Sequence, residues 1–357
     1  MNASLPRALA GLLSPEAYPH PVDAVELIET HISWVLLAGE FAYKIKRPVR
    51  YPFVDLTSLD RRRFFCEEEL RLNSRFAPEL YVAVCGIVAA GGEVRLEGHS
   101  QSEAIEYAVR MHRFPAAQEL DHLIEVRGVE PGELESFGRA LAQIHARLPA
   151  VSEASKWGRP AEVHAQLIRN LRECAEATAV FGTSNDILTL RGALEERLPA
   201  SALSMAARRA NGKVRECHGD LHCRNLVRIG NQLVAFDCLE YEPAFRWIDV
   251  AEEIALLSSD LKARDRPSLA HAFRGGYLAE SGDYHLCRVL SLYEAHRALV
   301  RAKVAALSVM ANADSGRGAA LHREHVRLIE VASDALTAKT PRLLLMSGLS
   351  GLSLIHI

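Results

Sequence analysis

The sequence predicts an α+β fold in two lobes: a small antiparallel sheet with one helix over residues 22–111, and a mainly helical lobe over 112–338. Three observations carry this expectation. Strand-forming runs crowd the first third of the chain, helical periodicity dominates after His112-Arg113-Phe114-Pro115, and one loop-and-hairpin segment in the second lobe concentrates oxygen-bearing side chains. The chain has 357 residues, 49% of them hydrophobic, enough for a sizeable core and more than one lobe. Its formal charge of -3 gives no reason to expect nucleic acid or a membrane surface as partner. Seven cysteines without a regular framework, no secretory leader pattern and no apolar run near membrane-spanning length lead us to expect a reducing, cytoplasmic setting.

Residues 1–21 carry Pro6, Pro15, Pro19 and Pro21 and read as a loose lead with at most one short helix. Val25 to Leu37 and Phe41 to Ile45 read as strands joined by Ala38-Gly39-Glu40, and period-two alternation puts Lys44 and Lys46 on one face of the second. Taken alone, these read as solvated lysines on an edge strand. Thr57 followed by Asp60 predicts a capping box for a helix running to about Phe76 before Pro78. Glu69 falls on its apolar stripe with Phe65, Leu72 and Phe76, so it wants a cation, and Lys44 on the preceding sheet is the candidate. Pairing with Arg62 or Arg71 of its own helix is the plainer alternative. Tyr81 to Val88, Glu93 to Leu96 and Ala104 to Met111 complete the sheet, with Gly91-Gly92 as a turn.

In the second lobe, Pro131 to Leu148 has one apolar side, with His145 read as a core histidine. Asp186 to about Ala210 is helical, bent or broken at Pro199. Asp249 opens another helix, and two long amphipathic helices over Tyr284 to Val309 and Ala319 to Leu336 close the lobe. Arg297 and Arg301 share a face of the first and read as a solvated stripe.

The informative stretch runs from Cys217 to Asn225, followed by Leu226 to Ile229, the turn signal Gly230-Asn231, and Gln232 to Phe236. If the hairpin closes at that turn, Asn225 lies opposite Phe236, beside Asp237. Cys217, His218, His222 and Cys223 raise the question of zinc, but neither C-x-x-C nor H-E-x-x-H spacing is present. Phosphoryl transfer accounts for more residues. It needs a base or positioning group, hard oxygen ligands for Mg²⁺ and a cation on the nucleotide phosphates; Asp220, then Asn225 with Asp237, then Lys44 fill those roles. His218, two residues before Asp220, is grouped with it as a catalytic candidate.

The pattern H-G-D-L-H-x-x-N-L, with F-D about ten residues later, resembles the catalytic segment of the aminoglycoside phosphotransferases and related small-molecule kinases, over roughly residues 25–335. The resemblance implies a protein-kinase-like two-lobe fold, with a small antiparallel-sheet N-lobe and a mainly helical C-lobe. It implies ATP and Mg²⁺ as cofactors, Asp220 as catalytic base, Asn225 and Asp237 as metal ligands, and Lys44 with Glu69 as the nucleotide-side ion pair. No G-x-G-x-x-G loop lies between the first strands, so phosphate cover is expected from backbone and hydroxyls around Thr30 and Ser33. Asp237 is followed by Cys238-Leu239-Glu240, and Glu240 and Glu242 are open to metal contacts, substrate contacts or a surface position. Residues 339–351 look like a strand entering the first half of a phosphate-binding Gly loop, and 352–357 like a non-native tail. With Glu29 to Trp34, they resemble bacterial proteins that fuse such a domain to a C-terminal P-loop ATP-binding domain. The expected partner is a small-molecule hydroxyl; a nucleotide- or ligand-sensing module for a P-loop domain is the alternative.

Overall fold

The computed structural model describes residues 5–91, 93–97, 104–311 and 318–337. Its first lobe is a six-stranded antiparallel sheet of β1 (Val25–Glu29), β2 (Ser33–Ala38), β3 (Phe41–Lys46), β6 (Tyr81–Ala90), β7 (Glu93–Glu97) and β8 (Ala104–His112), in the order β1-β2-β3-β8-β6-β7. A two-stranded hairpin, β4 (Arg50–Tyr51) and β5 (Val54–Asp55), leads into helix α1 (Leu59–Asn73).

The run expected as one strand from Val25 to Leu37 is two strands. The Thr30 hydroxyl accepts the Ser33 N–H at 2.9 Å and the Thr30 N–H is given to the Ser33 carbonyl at 2.9 Å, which folds the chain back at residues 30–33. Strand propensity throughout the run concealed that turn. β3 consequently sits between β2 and β8, so its lysines are not on an edge. Helix α1 is capped by Ser58, whose hydroxyl accepts the Arg61 N–H at 3.3 Å. Thr57 instead gives its hydroxyl to the Asp55 carboxylate at 2.7 Å, so the cap falls one residue later than expected, and Arg61 offers no acceptor to complete a box.

The alternation of β3 separates two small cores. Tyr43 and Ile45 join Trp34, Leu36, Ile87 and Ala108 on the outer face, where Leu5, Leu9, Leu12 and Tyr18 cover them. The lead is therefore ordered over its described residues, with 3-10 turns at Arg7–Leu13 and Pro15–Ala17 and the Tyr18 hydroxyl donating to the Leu12 carbonyl at 2.8 Å. The spacing of its three leucines supplies the apolar stripe that its prolines masked. On the inner face, Ala42, Tyr81, Tyr107, Val109 and Met111 pack with Cys66 and other residues of α1, and this face carries Lys44 and Lys46 toward the cleft.

The second lobe contains α2 (Leu120–Glu125), α3 (Pro131–Arg147), α4 (Pro160–Ala177) and α5 (Ser184–Ala210), the last continuous through Pro199. Strand β9 (Val214–Glu216) enters the central loop, and β10 (Leu226–Ile229) and β11 (Gln232–Ala235) form the hairpin. Then come α6 (Pro243–Arg246), β12 (Trp247–Asp249), α7 (Val250–Ala263), α8 (Pro267–Ser281), α9 (Cys287–Ala311) and α10 (Gly318–Thr337). One continuous apolar core runs through these helices. Pairing of β9 with β12 clamps the two ends of the segment carrying the central loop and hairpin. Asp249 does more than cap α7: it also takes a bidentate ion pair from buried Arg208, at 2.8 Å for each contact. No helix among the described residues is long and apolar enough to cross a membrane. The Gly-loop and tail readings at 339–357 lie outside the described residues.

Candidate active site

The central loop leaves β9 through buried Cys217 and His218. Gly219 has φ +87°, and a Cβ there would stand 2.9 Å from the Phe245 carbonyl oxygen, so backbone conformation and space both demand glycine. The Glu253 carboxylate on α7 accepts the N–H groups of His218 at 2.9 Å and Gly219 at 3.2 Å. Burial raises its pKa to about 7, against these hydrogen bonds. The His218 ring is fully buried; its Nε2 lies 2.9 Å from the Phe236 carbonyl, and its Nδ1 accepts the Asp220 N–H at 3.3 Å. Those contacts select the Nε2–H tautomer. Burial lowers the pKa to about 4, so the imidazole is neutral near pH 7 and ties the loop to the hairpin.

Asp220 keeps its carboxylate 39% exposed, which sets it apart from its buried neighbours. His222 Nε2 lies 3.4 Å from Asp220 Oδ2, and Asn225 Nδ2 donates to the same oxygen at 3.3 Å and to the Asp220 carbonyl at 2.9 Å. Burial would raise the Asp220 pKa; His222 and Arg301 outweigh it and hold the carboxyl well below its ordinary value. The hairpin closes in the expected register, Leu226 opposite Ala235, and the Phe236 N–H reaches the Asn225 carbonyl at 3.0 Å. Asp237 follows with φ +62°, a left-handed conformation that Asp tolerates better than most residues. Its N–H donates to the Tyr81 hydroxyl at 3.1 Å, and the next N–H, of Cys238, to Asn73 Oδ1 at 2.9 Å. The metal-ligand candidate is thus fastened to the sheet and to the end of α1.

Across the cleft, Lys44 Nζ lies 2.8 Å from Glu69 Oε1 and donates to Asp237 Oδ1 at 2.5 Å. Lys46 pairs with both Glu69 Oε2 and Glu240 Oε1. The sheet lysine and helix acid do meet, while Arg62 turns to Glu106 and Arg71 to Glu68 and Glu216. Glu240 is buried rather than at the surface, and Glu242 caps α6 through the Ala244 N–H at 3.1 Å. Thr30 spends its hydroxyl within its own turn, and Ser33 is fully buried with an unpartnered Oγ, opposite Lys46 in the sheet. No contact brings either side chain to Asp220 or Asp237 among the described residues.

Arg297 and Arg301 are not a solvated stripe: both are buried, Arg297 3.0 Å from Glu252 and Arg301 3.3 Å from Glu324. The mostly apolar composition of α9 around them was the available signal. Glu253 carried none, because a carboxylate accepting backbone N–H groups from a distant loop leaves no local pattern. Among the described residues, Cys217, His218, His222 and Cys223 do not group with one another as possible ligands; Cys217 instead lies with His145 and Glu253. The close groupings of possible ligands among the described residues are His145–Cys217–Glu253 and Glu119–Asp121–His122.

A small antiparallel sheet, a helix bearing the acid for a sheet lysine, and a helical lobe presenting an Asp–Asn–Asp set define a kinase-like fold. The chain belongs to the phosphotransferase enzyme family (APH), whose model matches residues 60–290. It is 28% identical over 335 residues to proteins of Mycobacterium tuberculosis and Mycobacterium bovis described only as uncharacterized, matching 93% of this chain and 64% of theirs. The chain thus spans less than two thirds of the length of those relatives. In fold it is similar to a choline kinase from Cryptosporidium parvum, with TM-score 0.51, 11% identity, and 93% of this chain and 94% of that one covered. An aminoglycoside phosphotransferase from Alicyclobacillus acidocaldarius is similar at TM-score 0.50 and 15% identity, with 95% and 96% covered.

Proposed function

We propose that this protein transfers phosphate from ATP, with Mg²⁺, to a hydroxyl of a small molecule, Asp220 acting on the acceptor. The observation that carries this reading is the convergence of Asp220, Asn225, Asp237 and Lys44 from a loop, a hairpin and a sheet. The donor set suits a hard cation: Asn225 uses its amide nitrogen toward Asp220, which leaves Oδ1 as an oxygen ligand beside the half-exposed Asp237 carboxylate. When bound there, Mg²⁺ supplies charge neutralisation for the nucleotide phosphates. Lys44 would reach those phosphates, whereas the N–H groups of Thr30 and Ser33 are already spent within their own turn.

His222 and Asn225 both engage Asp220 Oδ2, so Oδ1 is the oxygen left to receive the acceptor's O–H. With its pKa held low, Asp220 is ionised at neutral pH and orients the hydroxyl, taking the proton late, as a loose transition state requires. A small polar alcohol fits the acceptors named by the two solved relatives, and the seven free cysteines suit a reducing cytoplasm. The test is phosphate transfer from labelled ATP across a panel of hydroxyl compounds, with Asp220→Asn as the control. Mg²⁺-dependent transfer abolished by the substitution, with MgATP binding retained, supports the reading. Binding without transfer in the wild type would favour a nucleotide-sensing module instead.

A further inference from the structure

The two lysines of β3 share a face but differ in their surroundings. The Lys46 side chain is fully buried between Glu69 and Glu240, themselves 0% and 4% exposed, with its Nζ 5.0 Å from the centre of the Tyr241 ring. Lys44 keeps 13% of its side chain exposed, and its other partner, Asp237, keeps 45%. The two oxygens of Glu69 are divided between them: Oε2 is hydrogen-bonded by Lys46, while Oε1 lies near the Lys44 charge without an aligned hydrogen bond. The directed bond of Lys44 goes to Asp237. If Lys44 were the sole partner of Glu69, its departure would strand a buried carboxylate, a strongly destabilising arrangement. Here Lys46 keeps Glu69 paired whatever Lys44 does. Through Glu240, Lys46 also holds the segment that follows Asp237, and the Glu240 carbonyl is fixed by Arg246 Nη1 at 3.0 Å.

We propose that Lys46 and Glu240 are positioning residues, an anchor that fixes α1 and the Asp237 segment while Lys44 exchanges Asp237 for the phosphates of the incoming nucleotide. The inference rests on the kinase reading above and divides the work of two lysines that sequence cannot tell apart. In it, Lys44 is the mobile cation and Lys46 the stationary one. Three carboxylates around two ammonium groups leave the cluster one negative charge in excess, which favours entry of a cation beside Asp237.

Titration calorimetry with MgATP on the full chain tests this without a known acceptor. Lys44→Met should weaken MgATP binding by about tenfold or more. The double variant Lys46→Met/Glu240→Met removes the Lys46–Glu240 pair but leaves buried Glu69 with Lys44 alone, so it should fold with a lowered melting temperature. It should also bind MgATP about tenfold more weakly and need more Mg²⁺ to saturate. Wild-type affinity and Mg²⁺ dependence in the folded double variant would overturn the proposal, as would wild-type affinity in Lys44→Met. If the double variant fails to fold, Glu240→Gln serves in its place, with weakened MgATP binding expected and wild-type binding overturning the assignment. Phosphate transfer by the wild type is scored separately. Binding effects as expected without transfer would reject the kinase reading and leave the anchor standing, whereas a wild type that does not bind MgATP rejects both.

Discussion

On the sheet side of the cleft, Lys44, Lys46, Glu69, Asp237 and Glu240 form one ion-pair cluster across β3, α1 and the segment after the hairpin. On the loop side, His218 and Glu253 are spent on backbone groups, and Asp220 alone of these three turns its charge toward the cleft. The first wall consists of ion pairs, which can change partners when a charged ligand arrives. The second consists of hydrogen bonds to a fixed backbone, which cannot be rearranged without unfolding the loop. Ligand-dependent exchange therefore belongs to the sheet side and preorganised geometry to the loop side.

The sharpest way to test that contrast is Asp220→Asn, which keeps the loop's shape and removes its one outward charge. Turnover should fall by roughly 10²–10⁴-fold while MgATP affinity stays near wild type in a binding titration. A loss of nucleotide affinity as large as the loss of turnover would mean the two walls are not separable. Next in size is Glu253→Gln, which can satisfy only one of the two N–H groups now bonded to Glu253. A cost on the order of 1–3 kcal/mol in chemical denaturation is expected, with reduced kcat and little change in KM for ATP.

Acid should act through the buried imidazoles. Burial lowers the pKa of His145 to about 3, of His218 to about 4 and of His296 to about 3. The unfolded chain binds protons at these sites below about pH 6.5, where the native chain does not, so their contribution is intact above that pH and is lost as pH falls toward 4. Glu253, raised to about 7, acts in the opposite sense between about 4.5 and 7. Replacing His145 by Asn should flatten the dependence of unfolding free energy on pH by about 1.4 kcal/mol per unit between pH 6 and 4. An unchanged slope would mean that His145 is protonated in the native protein.

The smallest effect is expected where the lobes are tied together. Glu216 receives Arg71, Arg75 and Arg246, and although burial would raise its pKa, the arginines hold it at about 2. Since Arg71 is 40% exposed and the other two remain, Arg71→Gln should cost no more than about 1 kcal/mol by denaturation.

Features set by local pattern were legible in the sequence. The Gly230-Asn231 turn fixes the hairpin register and so places Asn225 beside Asp237, and the acid on the stripe of α1 does find a β3 lysine. What escaped depends on partners distant in sequence. Arg297 and Arg301 look solvated until α7 and α10 supply Glu252 and Glu324, and Lys46 cannot be told from Lys44 until Glu240 arrives from the other lobe. The turn at residues 30–33 was missed for a different reason. Its bonds come from Thr30 and Ser33, residues equally at home in a strand.

The leucines of the lead have a practical side. Leu5, Leu9, Leu12 and Tyr18 lie over Trp34, Leu36, Tyr43 and Ile45, so a version of the protein trimmed to begin at the first strand would display that greasy surface to solvent. Such a version should be poorly soluble even though every candidate catalytic residue is retained.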